Sequence, residues 1–181
     1  MSELTKIGIM DTLIELLYKK PFRKITVKDL VTECGINRNT FYYHFEDIYD
    51  LLHQTFLYEV KKANIESINL DNYQEKVDEL LPKLLQYRNV VLHIFNSVET
   101  RDLVRNLREV YYSTLEKSLI PLFEELNLDK KDAAFFLKSL CNALIGFTLE
   151  WIDTKLDEAF FREHLDEFTH WLNMILALRS I

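Results

Sequence analysis

Apolar residues along this chain recur at three- and four-residue spacing, the period of an α-helix with one buried face. Ile9, Leu13, Leu16 and Leu17 share one side of a first helix over residues 3–18, which stops before Lys19-Lys20-Pro21-Phe22 because proline disfavours helix in the residue before it. Val27, Leu30 and Val31 give a second helix its apolar face, and Phe41 and Phe45 face inward from a third. Phe22 and Ile25 are expected to close a three-helix core with Val27, Leu30, Ile36 and Phe41. A longer helix over about residues 47–65 turns Leu51, Leu52, Thr55 and Phe56 inward. At ~1.5 Å per residue it would be a rod nearly 30 Å long, able to carry motion from one half of the chain to the other.

Five more helices follow, near residues 72–86, 88–97, 100–125, 130–154 and 157–179. Asn72 and Thr100 are expected as N-caps, and Pro82 and Pro121 should kink or break the helices that hold them. The fold class is therefore all-α, with an N-terminal three-helix domain over residues 1–46 and a C-terminal helical domain over 47–181. No Gly/Ser linker marks that boundary; it rests on the lever role of the long helix.

The last two helices carry more apolar surface than one neighbour can cover. Leu140, Leu144, Phe147 and Trp151 form one stripe of the first, beside Cys141, Ile145 and Ile152. Phe161, Leu165, Phe168, Leu172 and Ile175 line the second, with Trp171, Met174 and Leu178 beside them. Two apolar sides on both helices point to a subunit interface.

The stretch from Ile25 to Phe45 holds the densest local signals. Thr26 with Asp29 three residues on has capping-box spacing. Gly35 sits where a left-handed residue ends a helix, Ile36 plugs the turn, and Asn37 is a good N-cap for the next helix. That helix leaves Arg38, Asn39, Thr40, Tyr42, Tyr43 and His44 on its ends and outer face. A solvated surface helix mixes acids with bases; this one has no acid and nearly all its outer side chains donate hydrogen bonds. Such a surface suits the major groove of double-stranded DNA, with phosphates on either side.

Thr26-Val27, Leu30, Gly35-Ile36, Thr40-Phe41-Tyr42, His44-Phe45 and Leu51-Leu52 together resemble the helix-turn-helix of the tetracycline-repressor (TetR) family of bacterial transcriptional regulators. The resemblance covers about the first third of the chain. It implies DNA contacts from Thr26 and Lys28 as well as from Asn37 and the outer face of the third helix. Ile48 stands where the family usually places a phosphate-binding lysine. The resemblance further implies a homodimer joined through the last two helices in a four-helix arrangement. It implies a small-molecule effector bound in the C-terminal domain, and repression relieved by that effector. Two recognition helices related by a dyad would read half-sites ~34 Å apart, hence a palindromic operator.

Charge at first argues against DNA, because the 181 residues carry a net −7. Divided, it argues for it. Residues 1–62 hold 9 Lys+Arg and 9 Asp+Glu, so residues 63–181 supply the whole excess of acid. Between Lys19 and His44 six bases (Lys19, Lys20, Arg23, Lys24, Lys28, Arg38) face two acids, Asp29 and Glu33. Positive charge gathers where DNA would lie.

Cys34 and Cys141 lack a nearby partner and read as small core residues in a reducing compartment. Glu3, Lys6, Asp11 and Glu15 interrupt any leader-like apolar run, and no stretch reaches ~18 uninterrupted apolar residues, so the expected compartment is the cytoplasm, with no membrane partner. Catalytic motifs are missing: no G-x-S-x-G, no phosphate-cradling loop among three glycines, no metal spacing among five histidines. No enzyme activity, cofactor or metal is expected. Tyr87, His93, Phe95, Tyr111, Tyr112, Phe136 and Trp151 are candidate linings of a pocket for an apolar or aromatic effector. The alternative is a DNA-bound architectural or protein-recruiting dimer without a small-molecule effector.

Overall fold

A computed structural model of the chain describes residues 3–65, 68, 71–97, 100–125 and 127–178, and the side chains of all of these except residues 100 and 171–178. Every regular element among the described residues is helical. In chain order they are α1 (Glu3–Lys19), a 3-10 turn (Phe22–Lys24), α2 (Val27–Glu33), α3 (Arg38–His44), α4 (Ile48–Lys62), α5 (Tyr73–Gln86), α6 (Arg88–Phe95), α7 (Thr100–Glu125), α8 (Lys130–Asp153) and α9 (Glu158–Leu178). The chain forms two compact units, Met1–Ile145 and Gly146–Ile181.

The first unit contains the expected three-helix core. Ile9, Leu13, Leu17, Phe22, Leu30, Phe41 and Phe45 are buried together, with Leu51 and Leu52 of α4 closing one side. Val27, Ile36 and Ile48 pack on this cluster half-buried. Val90 of α6 is a full member of the same core, which sequence spacing alone did not place there. Further along, Leu119 and Phe123 of α7 meet Leu137 of α8, with Phe136 packed edge-on to Phe123 at 5.7 Å.

Two helices stop short of their expected ends, each for a local reason. α4 stops at Lys62, three residues early, because Asn64 takes a left-handed backbone at φ 52°. The rod is therefore 15 residues long, about 22 Å. α6 stops at Phe95: Asn96 donates its side-chain amide to the Leu92 carbonyl and the Ser97 hydroxyl donates to that of His93, which satisfies the last carbonyls. Asn72 occupies the N-cap position of α5 but makes no side-chain cap bond. Thr100 begins α7, and its side chain lies outside the described residues. α5 and α7 run through Pro82 and Pro121 without a break.

In the second unit, Phe147 and Trp151 of α8 pack against Phe160, Phe161 and His164 of α9. The Trp151 indole N–H donates to the Asp157 carbonyl at 2.7 Å, and Asp157 caps α9 by accepting from the Phe160 N–H at 2.8 Å. α8 as a whole has the length and composition of a membrane span, with mean hydropathy 1.3 over an 18-residue window, yet only 17% of that window is buried. Leu137, Cys141, Ile145, Trp151 and Ile152 are its buried residues, while Phe135 is 73% exposed.

Candidate nucleic-acid interface

Residues 26–47 form a chain of backbone locks, each set by one side-chain type. Thr26 Oγ1 accepts from the Asp29 N–H at 3.2 Å, and an Asp29 carboxylate oxygen accepts in return from the Thr26 N–H at 2.9 Å. The capping box expected from the spacing is complete. Lys20 lies 3.0 Å from the same carboxylate oxygen. Its hydrogen bond, then those of Thr26, hold the Asp29 carboxyl below the usual carboxylate range.

At the other end of α2, Gly35 adopts φ +68°, its N–H donating to the Thr32 carbonyl at 3.3 Å and the Ile36 N–H to that of Val31 at 3.0 Å. This paired closure needs a left-handed residue, which glycine adopts at little cost. The Asn37 side chain then accepts from the Thr40 N–H at 2.9 Å and caps α3. Asp47 caps α4 in the same manner, accepting from the N–H groups of Tyr49 and Asp50.

These locks fix what α3 presents. Phe41 is 0% and Phe45 2% exposed, so one side of the helix is sealed in the core. Tyr42 at 55% and Tyr43 at 65% stand outward with Arg38 and Asn39. Thr26, Lys28 and Asn37 are exposed, though the Thr26 Oγ1 and the Asn37 Oδ1 are already engaged in capping. Thr40 is half-buried and donates its hydroxyl to Asn37 at 3.2 Å. His44 is half-buried as well, and its Nε2 is enclosed without a hydrogen-bond partner among the described residues.

The bases sort into two groups. Lys19 pairs with Glu33 at 2.9 Å, which raises the lysine pKa, and Lys20 pairs with Asp29. Arg23, Lys24, Lys28 and Arg38 make no ion pair among the described residues. Leu16, Lys20, Lys28, Asp29, Thr32 and Glu33 line a polar depression of about 320 Å³ between α1 and α2.

The candidate pocket residues lie in several local surroundings. Tyr87 packs on the N-terminal core with its ring 6.2 Å from Tyr18, and His93 bonds to α1. Phe95 and Tyr111 are half-buried, while Tyr112 is 37% exposed. Phe136 packs on Phe123, and Trp151 is 4% exposed with its N–H engaged by Asp157. Of the candidate interface residues, Leu140, Leu144, Phe147, Phe161, Leu165 and Phe168 are half-buried. The side chains of Leu172 and Ile175 lie outside the described residues. Among the described residues no group of His, Cys, Asp and Glu could hold a metal.

Two features escaped the reading of spacing. Tyr49 is 58% exposed and sets its ring edge-on to Phe22 at 5.4 Å, beside the recognition surface. Glu46, Asp47 and Asp50 place three carboxylates directly after α3. The acids were visible in the sequence; that two of them would clasp the start of α4 was not.

The family model described as "Bacterial regulatory proteins, tetR family" matches residues 9–55, and the one described as "Transcriptional regulator C-terminal region" matches residues 71–161. Among solved structures, a chain titled "Dihydroxyacetone kinase operon activator DhaS" superposes with a TM-score of 0.65 at 22% identity, covering 98% of this chain and 97% of that one. No curated protein sequence matches the chain.

Proposed function

This chain belongs to the tetR family of bacterial regulatory proteins, and from that premise we propose a homodimeric repressor that binds a palindromic operator and releases it when a small-molecule effector binds. The family's members regulate transcription and are not enzymes. The observation that carries the reading is α3: a capped seven-residue helix anchored by Phe41 and presenting Arg38, Asn39, Tyr42 and Tyr43 to solvent. Arg38 and Asn39 suit base edges, Tyr42 and Tyr43 suit bases or phosphates, and Lys28 suits a phosphate. Thr26, Asn37 and Thr40 hold the backbone that aims them; the N–H and hydroxyl of both threonines are engaged in that task, and Asn37 keeps its side-chain N–H groups for a phosphate.

We keep residues 1–46 as the DNA-binding domain and 47–181 as the effector and dimerisation domain, in the cytoplasm. The sparse burial of α8 supports a second copy as the cover for its apolar surface. The exposed side chains Phe135 and Tyr112 favour the second reading, in which the dimer recruits a protein instead of answering to a small molecule. Binding-site selection from random duplexes, with mass measured in solution, tests the whole. A recovered near-palindrome bound by a dimer supports the reading; weak, sequence-indifferent binding by a monomer defeats it.

A further inference from the structure

The start of a helix is an anion site, because its first N–H groups are free and its dipole favours negative charge. α4 starts at Ile48, four residues past the end of the helix that would enter the groove, so its start is the helix N-terminus that follows α3 directly. Here that site is already filled. Asp47 accepts from the N–H groups of Tyr49 and Asp50 at 2.8 Å each, and Asp50 accepts from the Glu46 N–H at 2.9 Å. Glu46 itself is exposed, and Ile48, the first helical residue, turns into the core. The last residue of α3 adds nothing outward, since the His44 Nε2 is enclosed. The start of α3 carries the opposite charge, since Arg38 opens it, and the turn and helix before it hold Arg23, Lys24 and Lys28, all four without ion-pair partners among the described residues.

We infer that this chain grips DNA from one side, through Arg23, Lys24, Lys28 and Arg38, while Glu46 and Asp47 push the phosphate backbone away from the C-terminal end of α3. Glu46 and Asp47 follow that end by two and three residues, a reach of at most ~10 Å, within a Debye length at moderate salt. The consequence is a tilted recognition helix. Arg38 and Asn39 at its start, with Tyr42 one turn on, read bases, while the His44 end stands off from the backbone. The inference rests on the DNA-binding reading proposed above.

The test is a pair of exchanges that remove charge and keep the helix cap: Glu46→Gln with Asp47→Asn, since Asn caps about as well as Asp. Anisotropy of the full-length protein on a random-sequence duplex and on its selected site is recorded across a salt series. Glu116→Gln with Glu124→Gln, two exposed acids of α7, serves as the control for net charge. The double variant should bind both duplexes ~3- to 10-fold more tightly at low salt, and the gain should vanish as salt screens it. Arg23→Ala and Lys24→Ala should each weaken binding to both duplexes and flatten the salt dependence by about one counterion. If the double variant binds as the wild type does at every salt concentration, or gains no more than the control, the one-sided grip is overturned while DNA binding stands. If the wild type binds neither duplex, the DNA-binding reading itself falls and takes this inference with it.

Discussion

His93 on α6 and Leu17 on α1 are joined by a hydrogen bond of 2.6 Å between the imidazole Nδ1 and the leucine carbonyl. A carbonyl only accepts, so Nδ1 carries the proton. In a continuing helix Leu17 would receive the N–H of residue 21, but that residue is Pro21, which has none. A side chain 76 positions away thus completes the end of the first helix. Because Val90 joins the same core, α6 is tied to α1 by both packing and polarity. We expect His93→Ala to lower stability by about 1–3 kcal/mol, the cost of leaving a half-buried acceptor unmade. Urea unfolding measures it, and an unchanged midpoint would show that water replaces the imidazole at no loss.

Phe41 and Tyr42 are neighbours with opposite burdens. Phe41→Ala empties a site that is 0% exposed and should cost about 3–5 kcal/mol, enough to unfold much of the N-terminal core. Tyr42→Ala, at a position 55% exposed, should change stability by no more than about 0.5 kcal/mol and still reduce DNA binding. Thermal melts and DNA titrations on the same two samples separate the roles. A Tyr42→Ala protein as unstable as Phe41→Ala would contradict the assignment.

Gly35 is required for its backbone, not for space. An added Cβ would meet nothing within 4 Å, but φ is +68°. Gly35→Ala should therefore destabilise by about 1–2 kcal/mol, and Gly35→Asn by less, since Asn tolerates the left-handed region. Equal losses for the two variants would point to a steric cause instead.

Arg38→Ala should relax sequence discrimination at one operator position by about 1–3 kcal/mol if the guanidinium forks onto a base edge. Repeating site selection with the variant shows it directly. A recovered site with unchanged preference at every position would move Arg38 to the phosphates.

The capping box also gives acid a point of attack. Lys20 and Thr26 hold Asp29 below its unfolded pKa. The stability that this adds is therefore complete above the unfolded value, near ~3.9, and is lost as pH falls through the lower, folded one. Asp29→Asn should flatten the acid limb of a pH–stability curve below pH ~4, and Thr26→Ala should cost about 1 kcal/mol at neutral pH. An acid limb identical in Asp29→Asn would assign that limb to other carboxylates.

Local chemistry made the N-terminal region readable. Thr26, Asp29, Gly35 and Asn37 act within three or four residues of themselves, so their spacing declared their bonds in advance. Phe41 and Phe45 likewise revealed the buried side of α3 by helical period alone. Long-range partners left no such trace: nothing in the spacing of His93 says that it caps α1, or that Val90 belongs to the N-terminal core. The lever helix was overestimated because Asn64 reads as an ordinary polar residue until its backbone is seen. Aromatic residues collected as a prospective pocket share a type but not one packing neighbourhood, as Tyr87 beside Tyr18 and Phe136 beside Phe123 illustrate.

Seven residues are too few to hold a helix in water. α3 borrows its shape from Phe41 and Phe45 inside and from Asn37 at its start. Arg38 and Asn39 are not spent on the fold, and Tyr42 and Tyr43 touch it only through ring edges, on Phe41 and His44. The text this helix reads can thus be rewritten without disturbing the page that holds it. After gene duplication, a daughter chain could acquire a different operator through a few outward exchanges at nearly constant stability, and retargeting by design should follow the same route.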